Sequence, residues 1–592
     1  MREAKLSALN ALDRLLRQRF NAFRLVEQMA EQWLLDLPFE EIDRGWIIPT
    51  NIEMFGEKLN ILVVVPVNCI FPYKKPWIYV KPEIPQSEFP HIEADSKMCV
   101  WSDQVLFDSR DICYVESLVI DAHKLLESTL TGELNEDFNN GFLSYWNSHV
   151  KTPSLVSSLC SETGGCRLIY VAYLNGTTIF ADSKDELSSW IEKVDSNSKN
   201  ISISNSFLLV LDKPWIPSQY PEKLNEIVSL LSTQLGDLLK AKELIGSMIA
   251  GDSNNPKFLI KVNTNNGPCF VSMQLAANCL QRGNGNYPSR KIVNLGNGFR
   301  DRKVTANVLC SRAMNQTLKG LNVDRIDQSW ILGRGHNKLL PQICRNRVAI
   351  IGVGSLGSEL VPLIIKAGVS NLCLIDIDRL EPANLGRHWL TYAYLGENKA
   401  KGCQLAVSSY FPWVNVESIS CANWIYEDSV LEHLKSCDLI INTTGEWGVD
   451  VALMELSVKE VIECPILFGF TEPHAVATHA YLCGIGKHDY LSLYDNCGQF
   501  KGTVAEFPTQ TKLDLPLCGG SFQPYGAIEL SFGQSVIADL AINCLLGNLD
   551  FEKDHYMVWV GSESLLFHNN GQWNSSWSQY SQIGTGSRLI YA

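Results

Sequence analysis

Three glycines and one acidic residue give this chain the pattern of a phosphate-binding loop. An apolar run leads into Gly352, Gly354 and Gly357, and an amphipathic segment follows them. Such glycines allow a tight turn and a close approach of backbone N–H groups to phosphate at a helix N-terminus. A second apolar run ends at Asp376, 22 residues past Gly354, a spacing that suits an acid meeting a ribose hydroxyl. The pattern predicts a nucleotide-binding unit.

The residues after Asp376 indicate which chemistry the nucleotide serves. Asp378, Asn384 and Arg387 follow in a dense polar run, and Lys399 lies a little further on. A dinucleotide oxidoreductase shares the glycine loop, but hydride transfer does not need this set of acids and cations. Attack of a carboxylate on the α-phosphate of ATP does need it, because acids hold Mg²⁺ and cations stabilise charge on the phosphates. The polar run therefore favours adenylation.

This order of residues resembles the ubiquitin-activating (E1) superfamily, which includes the bacterial molybdopterin- and thiamine-synthesis adenylyltransferases. The family pattern is a glycine-rich loop, then D-x-D-x-x-x-x-x-N-L-x-R, then a lysine. Asp376, Asp378, Asn384, Arg387 and Lys399 fall on it in order and spacing. The resemblance implies that ATP and Mg²⁺ bind at the three glycines and these five residues. It also implies that Arg387 and Lys399 are catalytic.

Three further features concern the metal, the partner subunit and zinc. The family usually carries a Mg²⁺-binding Asp at the end of a later strand, where this chain has the weaker ligand Asn442, so metal binding would depend more on Asp376 or Asp378. Arg334 precedes the first strand and is either solvent-facing or, as the resemblance implies, reaches ATP phosphates in the opposite subunit of a homodimer. No C-x-x-C pair occurs, so we expect no structural zinc of that type.

A second set of chemistry-bearing residues lies in the first 150 residues. His91 precedes Cys99 by eight residues in an irregular, proline-containing segment. Most cysteines in such a chain are buried core thiols, but an extended segment beside a histidine favours a reactive one. The apolar patterns around this segment predict strands at 45–49, 59–66 and 77–81 and helices near 5–34 and 112–131.

A helix, an antiparallel meander, a proline-rich crossing, a His, a Cys and a closing helix resemble the ubiquitin-conjugating (E2) fold. That family has an H-P-N motif ahead of its cysteine, whereas this chain has Pro90-His91-Ile92 and lacks the Asn. The resemblance implies that Cys99 accepts an acyl group as a thioester. His91 is either catalytic or a hydrogen-bonded, partly exposed histidine.

Activating enzymes that pass their substrate onward use a second cysteine to attack the acyl-adenylate. Cys518 lies in a Gly- and Pro-rich segment ahead of a helical pattern near 526–546. Flanking glycines and a loop position give the access that an attacking thiol needs. The resemblance to activating enzymes implies that Cys518 is this residue, with Cys497 as the alternative. Each cysteine is expected to lie in an accessible, activated environment.

Length, net charge and cysteine content indicate the number of domains, the kinds of partner and the compartment. A chain of 592 residues should hold about three domains. We predict an α/β multidomain protein with an E2-like α+β domain at 1–150, an α/β linker at 151–325 and a Rossmann-like adenylation domain at 326–592. The net charge of −14 argues against nucleic-acid and anionic-membrane partners. No apolar run approaches the ~20 residues that span a bilayer, and 18 cysteines without a secretion signal indicate a cytoplasmic protein.

The whole chain resembles the E1–E2 fusion proteins of antiphage (CBASS) operons built around a cGAS/DncV-like nucleotidyltransferase. The resemblance implies ATP-dependent activation of that enzyme's C-terminal tail, thioesters on Cys518 and Cys99, and transfer to a lysine of an acceptor protein. A sulfur-carrier-type adenylyltransferase with a non-catalytic E2-like binding domain is the alternative function. An inactive scaffold and a dinucleotide oxidoreductase are also open.

Overall fold

The computed structural model describes most of the chain and divides it into two compact units. One unit comprises Met1–Leu187 and Asn200–Ile326, and the other comprises Ser188–Lys199 and Asp327–Ala592. The residues outside the description are 1, 26–41, 55, 85–88, 94, 103, 151–154, 196–200, 252–255, 276–305, 486–488, 517–520, 576, 578–587 and 592. The predicted α/β multidomain fold class is confirmed, and the domain boundaries stay predictions.

A four-stranded antiparallel sheet with two helices forms the N-terminal part of the first unit, with strand order β1-β2-β3-β4. Its elements are α1 (Arg2–Phe20), β1 (Phe23–Arg24), β2 (Ile42–Met54), β3 (Glu57–Pro66), β4 (Trp77–Lys81) and α2 (Tyr114–Leu130). The three predicted strands and the second helix are confirmed. The prediction of a helix to residue 34 was wrong, because the helix ends at Phe20 and β1 then pairs with β2.

Strand β3 is buried on both faces, which explains its almost continuous apolar sequence. Val63 and Val65 pack into the larger core with Leu12 of α1 and Leu118 of α2. Leu62 and Val64, on the opposite face, belong to a second small cluster. Complete burial of each such side chain stabilises the fold by about 1.5–3 kcal/mol.

The rest of the first unit is a mixed eight-stranded sheet of order β11-β10-β9-β8-β6-β7-β5-β12. Its strands are β5 (Val156–Ser158), β6 (Arg167–Leu174), β7 (Thr177–Ala181), β8 (Ser204–Leu211), β9 (Lys257–Thr264), β10 (Gly267–Leu275), β11 (Leu318–Asn322) and β12 (Asp324–Arg325). The helices between residues 137 and 313 are α3 (Asp137–Asn140), α4 (Phe142–His149), α5 (Lys184–Val194), α6 (Leu224–Leu235), α7 (Leu238–Gly251) and α8 (Ala306–Ala313).

The second unit is built on another eight-stranded sheet, of order β15-β14-β13-β16-β17-β18-β22-β24. The strands of this unit are β13 (Arg347–Ile351), β14 (Asn371–Ile375), β15 (Asn415–Ile419), β16 (Leu439–Asn442), β17 (Ile466–Thr471), β18 (Ala477–Cys483), β19 (Ala505–Glu506), β20 (Leu513–Asp514), β21 (Ser521–Phe522), β22 (His555–Val560), β23 (Gln572–Trp573) and β24 (Arg588–Tyr591). Its helices are α9 (Gln328–Ile331), α10 (Leu340–Ile343), α11 (Gly357–Ala367), α12 (Lys399–Tyr410), α13 (Asp428–Lys435), α14 (Trp447–Val458), α15 (Ala527–Leu545) and α16 (Glu563–His568).

The parallel half of this sheet determines where the site lies. Strands β15, β14, β13, β16 and β17 run parallel, with β13 between β14 and β16. Separate apolar cores cover the two faces of the sheet. In such sheets ligands bind at the carboxyl ends of the strands, where connections leave in opposite directions. The polar residues singled out from the sequence follow β13, β14 and β16.

Helix α15 is the one apolar helix among the described residues that has the length and composition to cross a membrane. The sequence analysis had not expected such a segment. Half of its apolar stretch is buried within the structure, and Leu530, Ile537 and Leu540 belong to the core of the sheet. These contacts account for its apolar character as a core helix.

The glycines of the loop after β13 yield a matched pair of substitutions. A Cβ on Gly357 would lie 2.0 Å from Gly352 O and 2.5 Å from Thr443 Oγ1, whereas a Cβ on Gly354 would meet nothing within 4 Å. We expect Gly357→Ala to lower the free energy of unfolding by about 1–3 kcal/mol, as overpacking does, and Gly354→Ala to leave it unchanged. Chemical denaturation of both variants measures this difference. Equal stability of the two would contradict the close packing described for Gly357.

Candidate functional site

The glycine loop connects the end of β13 to the start of α11. Gly352 has φ +82°, a left-handed conformation that suits glycine, and its N–H donates to Ile375 O at 2.8 Å. Gly354 faces open space, so its backbone is accessible to a ligand. An open glycine at the start of the 11-residue helix α11 fits a phosphate group of ATP.

Asp376 fastens the glycine loop to the turn that follows β14. Its Oδ2 accepts the N–H of Val353 and its Oδ1 accepts the N–H of Asp378, both at 2.8 Å. Burial raises the pKa of the Asp376 carboxyl, although these hydrogen bonds and Lys399 oppose the rise. The structure thus gives this predicted ATP-binding residue a second task, which is to hold two segments of the site together.

Lys399 begins α12 and is 9% exposed. Its Nζ pairs with Asp378 Oδ2 at 2.9 Å. The neighbouring Asn398, which the sequence analysis missed, caps the helix by accepting the N–H of Lys401 and donates from Nδ2 to Asp376 O at 2.8 Å. An Asn directly before a helix is a recognised N-cap signal that would have found it. The structure therefore brings Asp378 and Lys399, both predicted for the ATP site, into contact.

Arg387 lies against two aromatic rings that the sequence analysis missed. Its guanidinium carbon is 4.9 Å from the ring centroid of Phe522 and 4.5 Å from that of Tyr525. The Tyr525 hydroxyl is hydrogen-bonded to Ser355 Oγ in the glycine loop at 2.9 Å. Tyr525 therefore links the predicted catalytic arginine to the nucleotide-binding loop. Nothing in the local sequence pattern signals this contact, because 138 residues separate Arg387 from Tyr525.

Asn384 and His388 shape the chain on either side of Arg387. Asn384 Oδ1 accepts the N–H of Glu381 at 2.9 Å, and its carbonyl accepts the N–H of Arg387 at 2.9 Å. Burial lowers the pKa of His388 to about 4, so the ring is neutral at pH 7. Its Nε2 then donates to Val353 O at 2.8 Å. Both residues act on the backbone of the site in this structure.

A cavity of about 360 Å³ opens beside the glycine loop and is lined largely by polar and aromatic side chains. In its wall, Asn442 Nδ2 donates to Asp450 Oδ1 at 2.6 Å, and the Tyr490 hydroxyl donates to Asp450 Oδ2 at 2.8 Å. Burial raises the pKa of Asp450 to about 6. Asn442 Oδ1 accepts the hydroxyl of Thr444 at 3.0 Å. The side chain of Asn442 thus belongs to a buried network, and its role as a metal ligand stays a prediction.

The acids at this site fit Mg²⁺ only as part of an ATP complex. Within the described parts of the chain, no group of three or more His, Cys, Asp or Glu side chains is arranged to hold a metal ion. Asp376 and Asp378 are the carboxylates that follow β14, and each already has a partner. Mg²⁺ in ATP sites is commonly held by one or two carboxylates together with phosphate oxygens and water. Asp376 and Asp378 would serve in this way.

Cys99 lies at the end of a short antiparallel turn anchored on strand β4. Met98 N–H donates to Ile78 O at 2.8 Å, and Lys97 forms an antiparallel bridge with Tyr79. Cys99 is exposed and lines two cavities of about 760 and 620 Å³. The predicted acyl-accepting cysteine is therefore accessible from two sides.

The thiol of Cys99 donates a hydrogen bond to Glu93 Oε1 at 3.2 Å. Partial burial, and then the hydrogen bond and charge of Glu93, raise the pKa of Cys99 to about 11. The expectation of an activating environment is wrong for the free protein at this cysteine. Cys99 is a protonated thiol at neutral pH, and the thiolate is the nucleophile.

His91 lines the same two cavities as Cys99. Its Nε2 is hydrogen-bonded to Asp137 Oδ2 at 2.9 Å, and its backbone N–H donates to the hydroxyl of Tyr145 at 2.8 Å. Both partners come from α3 and α4, beyond the reach of any local motif. The structure brings His91 and Cys99 together, while the catalytic role of His91 stays a prediction.

Three predicted residues lie apart from these contacts or outside the description. Cys518 lies outside the described residues, between β20 and β21 in the sequence. Its alternative, Cys497, is exposed and its N–H donates to Asp495 Oδ1 at 2.8 Å. Arg334 is exposed at the end of the turn after α9. The roles predicted for these residues are untested.

Comparisons with protein families match both ends of the chain. Residues 22–154 match the prokaryotic E2 family B, and residues 331–472 match the ThiF family. Together with the exposed Cys99 and the glycine-loop site, these matches define the class of the protein. The chain is an E1–E2 fusion of the ubiquitin-like activating and conjugating type, with an N-terminal E2-like domain and a C-terminal ThiF-type domain.

Individual relatives match the whole chain or parts of it. The chain is 22% identical over 588 residues to the ATP-dependent ubiquitin transferase-like protein Cap2 of Vibrio cholerae, covering 89% of this chain and 93% of the relative. It is 33% identical over 124 residues to the Cap2 protein of Enterobacter hormaechei, covering 21% of each. It is 26% identical over 148 residues to a sulfur carrier protein adenylyltransferase of Thermus thermophilus, covering 25% of this chain and 53% of the relative.

Removal of the Glu93 charge tests its control of Cys99. We expect Glu93→Gln to lower the raised pKa of the thiol, so that more thiolate is present at pH 8. Because each unit of pKa changes the thiolate fraction tenfold in this range, alkylation of Cys99 by iodoacetamide should accelerate about three- to tenfold. Peptide mass spectrometry measures the rate at Cys99, with exposed Cys113 as an internal reference. Glu136→Gln, an exposed acid outside the cavity, is the matched control. An unchanged rate in Glu93→Gln would show that burial alone sets the pKa.

Truncation of Tyr525 tests the link between Arg387 and the glycine loop. We expect Tyr525→Ala to weaken ATP·Mg²⁺ binding about tenfold, because it removes a cation–π contact and a hydrogen bond that together contribute about 1–2 kcal/mol. Tyr525→Phe keeps the ring and should weaken binding only about two- to threefold. Calorimetric titration with ATP measures both, and Tyr426→Ala at an 84% exposed position is the control. Wild-type affinity in Tyr525→Ala would contradict the link.

Proposed function

We propose that this E1–E2 fusion adenylates the C-terminal carboxylate of a protein and passes the acyl group through two cysteines to an amine. The observation that carries the proposal is the accessible Cys99 in the same chain as the Arg387, Lys399 and glycine-loop site. An adenylation site alone makes an activated acyl group. A cysteine exposed between two cavities has the access that an acyl acceptor needs.

ATP would bind with its phosphates at Gly352, Gly354 and Gly357. The Asp376 and Asp378 carboxylates would hold Mg²⁺ with the phosphate oxygens, which lowers the charge that the incoming carboxylate meets. The carboxylate attacks the α-phosphate, pyrophosphate leaves, and an acyl-adenylate forms. Arg387 and Lys399 stabilise the negative charge that develops during this step.

The acyl group then moves to sulfur. Cys518 attacks the acyl-adenylate, AMP leaves, and a thioester forms. The thiolate of Cys99 attacks that thioester in turn and releases Cys518. Because partial burial and Glu93 raise the pKa of Cys99 in the free protein, the second transfer requires loss of the thiol proton. Support for Cys518 is its Gly-rich sequence and its position four residues before Phe522, which contacts Arg387.

The substrate tail in this proposal belongs to a cGAS/DncV-like nucleotidyltransferase, and the final acceptor is a lysine of another protein. The supports are the resemblance to the fusion proteins of antiphage operons and the relatives named ATP-dependent ubiquitin transferase-like. We further propose a homodimer in the cytoplasm. In such a dimer Arg334 of one subunit would reach the ATP phosphates of the other.

A second candidate is a sulfur-carrier-type adenylyltransferase whose E2-like domain only binds. It is favoured by the similarity of part of the chain to the Thermus sulfur carrier protein adenylyltransferase and by the raised pKa of Cys99. This candidate predicts ATP turnover without a thioester on Cys99. The two candidates therefore differ in one observable intermediate.

Non-reducing gel electrophoresis with ATP, Mg²⁺ and the nucleotidyltransferase separates the two candidates. We expect a thiol-sensitive adduct in the wild type, accumulation on Cys518 in Cys99→Ala, and no adduct in Cys518→Ala. Cys113→Ala removes another exposed thiol of the E2-like domain and should behave as the wild type. If Cys497→Ala abolishes the adduct and Cys518→Ala does not, Cys497 is the activating cysteine. ATP consumption without any adduct would establish the sulfur-carrier-type candidate.

A further inference from the structure

His91 and Cys99 lie opposite each other across the antiparallel turn that carries the acyl-accepting cysteine. Ile92 and Met98 form an antiparallel bridge, and Cys99 N–H donates to His91 O at 2.9 Å. His91 and Cys99 also line the same two cavities. Glu93 lines both cavities as well, and its carboxylate reaches the sulfur of Cys99. The imidazole and the thiol therefore border the same cavity space.

Asp137 determines which nitrogen of His91 can accept a proton. The Asp137 carboxylate only accepts hydrogen bonds when it is ionised, so Nε2, which lies 2.9 Å from Oδ2, carries the imidazole hydrogen. Nδ1 then has the free lone pair, and it makes no hydrogen bond to any residue that the structure describes. Asp137 is itself held by Asn140, whose Nδ2 donates to Oδ1 at 3.1 Å. Asp137 therefore orients the His91 ring so that Nδ1 is available as a base.

We propose that His91 accepts the proton of the amine that attacks the Cys99 thioester, and that Asp137 is the residue that positions His91 for this step. The inference rests on the proposed function, since it needs an acyl group on Cys99. The amine nitrogen attacks the thioester carbonyl carbon, the C–N bond forms and the C–S bond breaks. Before the attack, the ammonium form of the amine gives one proton to His91 Nδ1. After the attack the nitrogen loses a second proton to water, and the imidazolium gives its proton to the departing sulfur of Cys99, which restores the thiol.

The walls of the larger cavity suit an amine that arrives as a cation. Glu93, Asp95 and Asp137 line it together with His91 and Cys99, and no lysine or arginine is among the described residues that line it. A concave surface of one sign concentrates ligands of the opposite sign. A lysine side chain is therefore favoured over a hydroxyl acceptor. Once near His91, its ammonium must lose a proton to become a nucleophile, which is the task assigned to the imidazole.

Chemical acylation of Cys99 tests this step without ATP. The full chain is incubated with a synthetic peptide α-thioester ending in glycine, and mass spectrometry locates the acyl group on Cys99, with Cys99→Ser as the control for other thiols. Release by free lysine is then compared with release by hydroxylamine, which is uncharged at neutral pH and needs no base. We expect His91→Gln and Asp137→Asn to slow release by lysine about 100-fold, the lower end of what a general base contributes. Release by hydroxylamine should stay within about twofold of the wild type, because hydroxylamine needs no base to remove a proton before it attacks.

Two further variants separate positioning from folding. Glu136→Gln removes an exposed charge from the residue before Asp137 and should behave as the wild type. His91 has φ +62°, a conformation that glycine adopts readily, so His91→Gly should keep the turn and leave room for added imidazole. Imidazole should restore release by lysine in His91→Gly and have no effect on Asp137→Asn, where the ring is still present.

The outcomes separate this inference from the proposed function. Equal slowing with lysine and hydroxylamine, unchanged release by lysine in both variants, or failure of Cys99 to accept the acyl group would each overturn the role of His91 and Asp137. ATP-driven loading with the nucleotidyltransferase is measured on the same preparations. If the synthetic thioester behaves as expected while ATP yields no adduct, the proposed function fails and the assignment of His91 and Asp137 stands.

Discussion

The nucleotide site depends on how hydrogen bonds satisfy the half-buried Asp376 carboxylate. Removing a charged carboxylate from water is costly unless it is hydrogen-bonded. Asp376 meets this requirement by accepting the N–H of Val353 in the glycine loop and the N–H of Asp378 in the following turn. The N-terminus of α12 joins the same arrangement, because Asn398 donates to the carbonyl of Asp376. The phosphate cradle, the acidic turn and Lys399 are thereby held as one unit.

A comparable constraint acts on the E2-like domain through the short turn around Cys99. Its pairing with β4 fixes the backbone, and His91, Glu93 and Cys99 line the same two cavities. Partial burial and Glu93 raise the pKa of the Cys99 thiol, and His91, the base proposed for amine attack, borders the same cavities.

Aromatic contacts connect the chain near Cys518 with the nucleotide site. Phe522 and Tyr525 pack on the guanidinium of Arg387, and Tyr525 also reaches Ser355 in the glycine loop. Any movement of the segment that contains Phe522 therefore alters the surroundings of Arg387. In the proposed cycle, this contact makes the charge-stabilising arginine sensitive to the state of the segment in which the first thioester forms.

The sequence by itself determined the class of chemistry and the order of the E2-like and ThiF-type domains, which the family matches confirm. It also predicted residues from Gly352 to Lys399 as the ATP site. ATP chemistry requires particular residue types at fixed distances from strand ends, so local spacing carries that information. Strand positions around Cys99 were also predictable, whereas the end of α1 was not, because pairing of β1 with β2 overrides helical periodicity. Only the tertiary structure decided which residues contact the predicted ones, namely Asp137 at His91 and Tyr525 at Arg387. It also decided the raised pKa of Cys99. Those depend on side chains that meet from distant parts of the chain, and on the burial and charge around them, which no local pattern records.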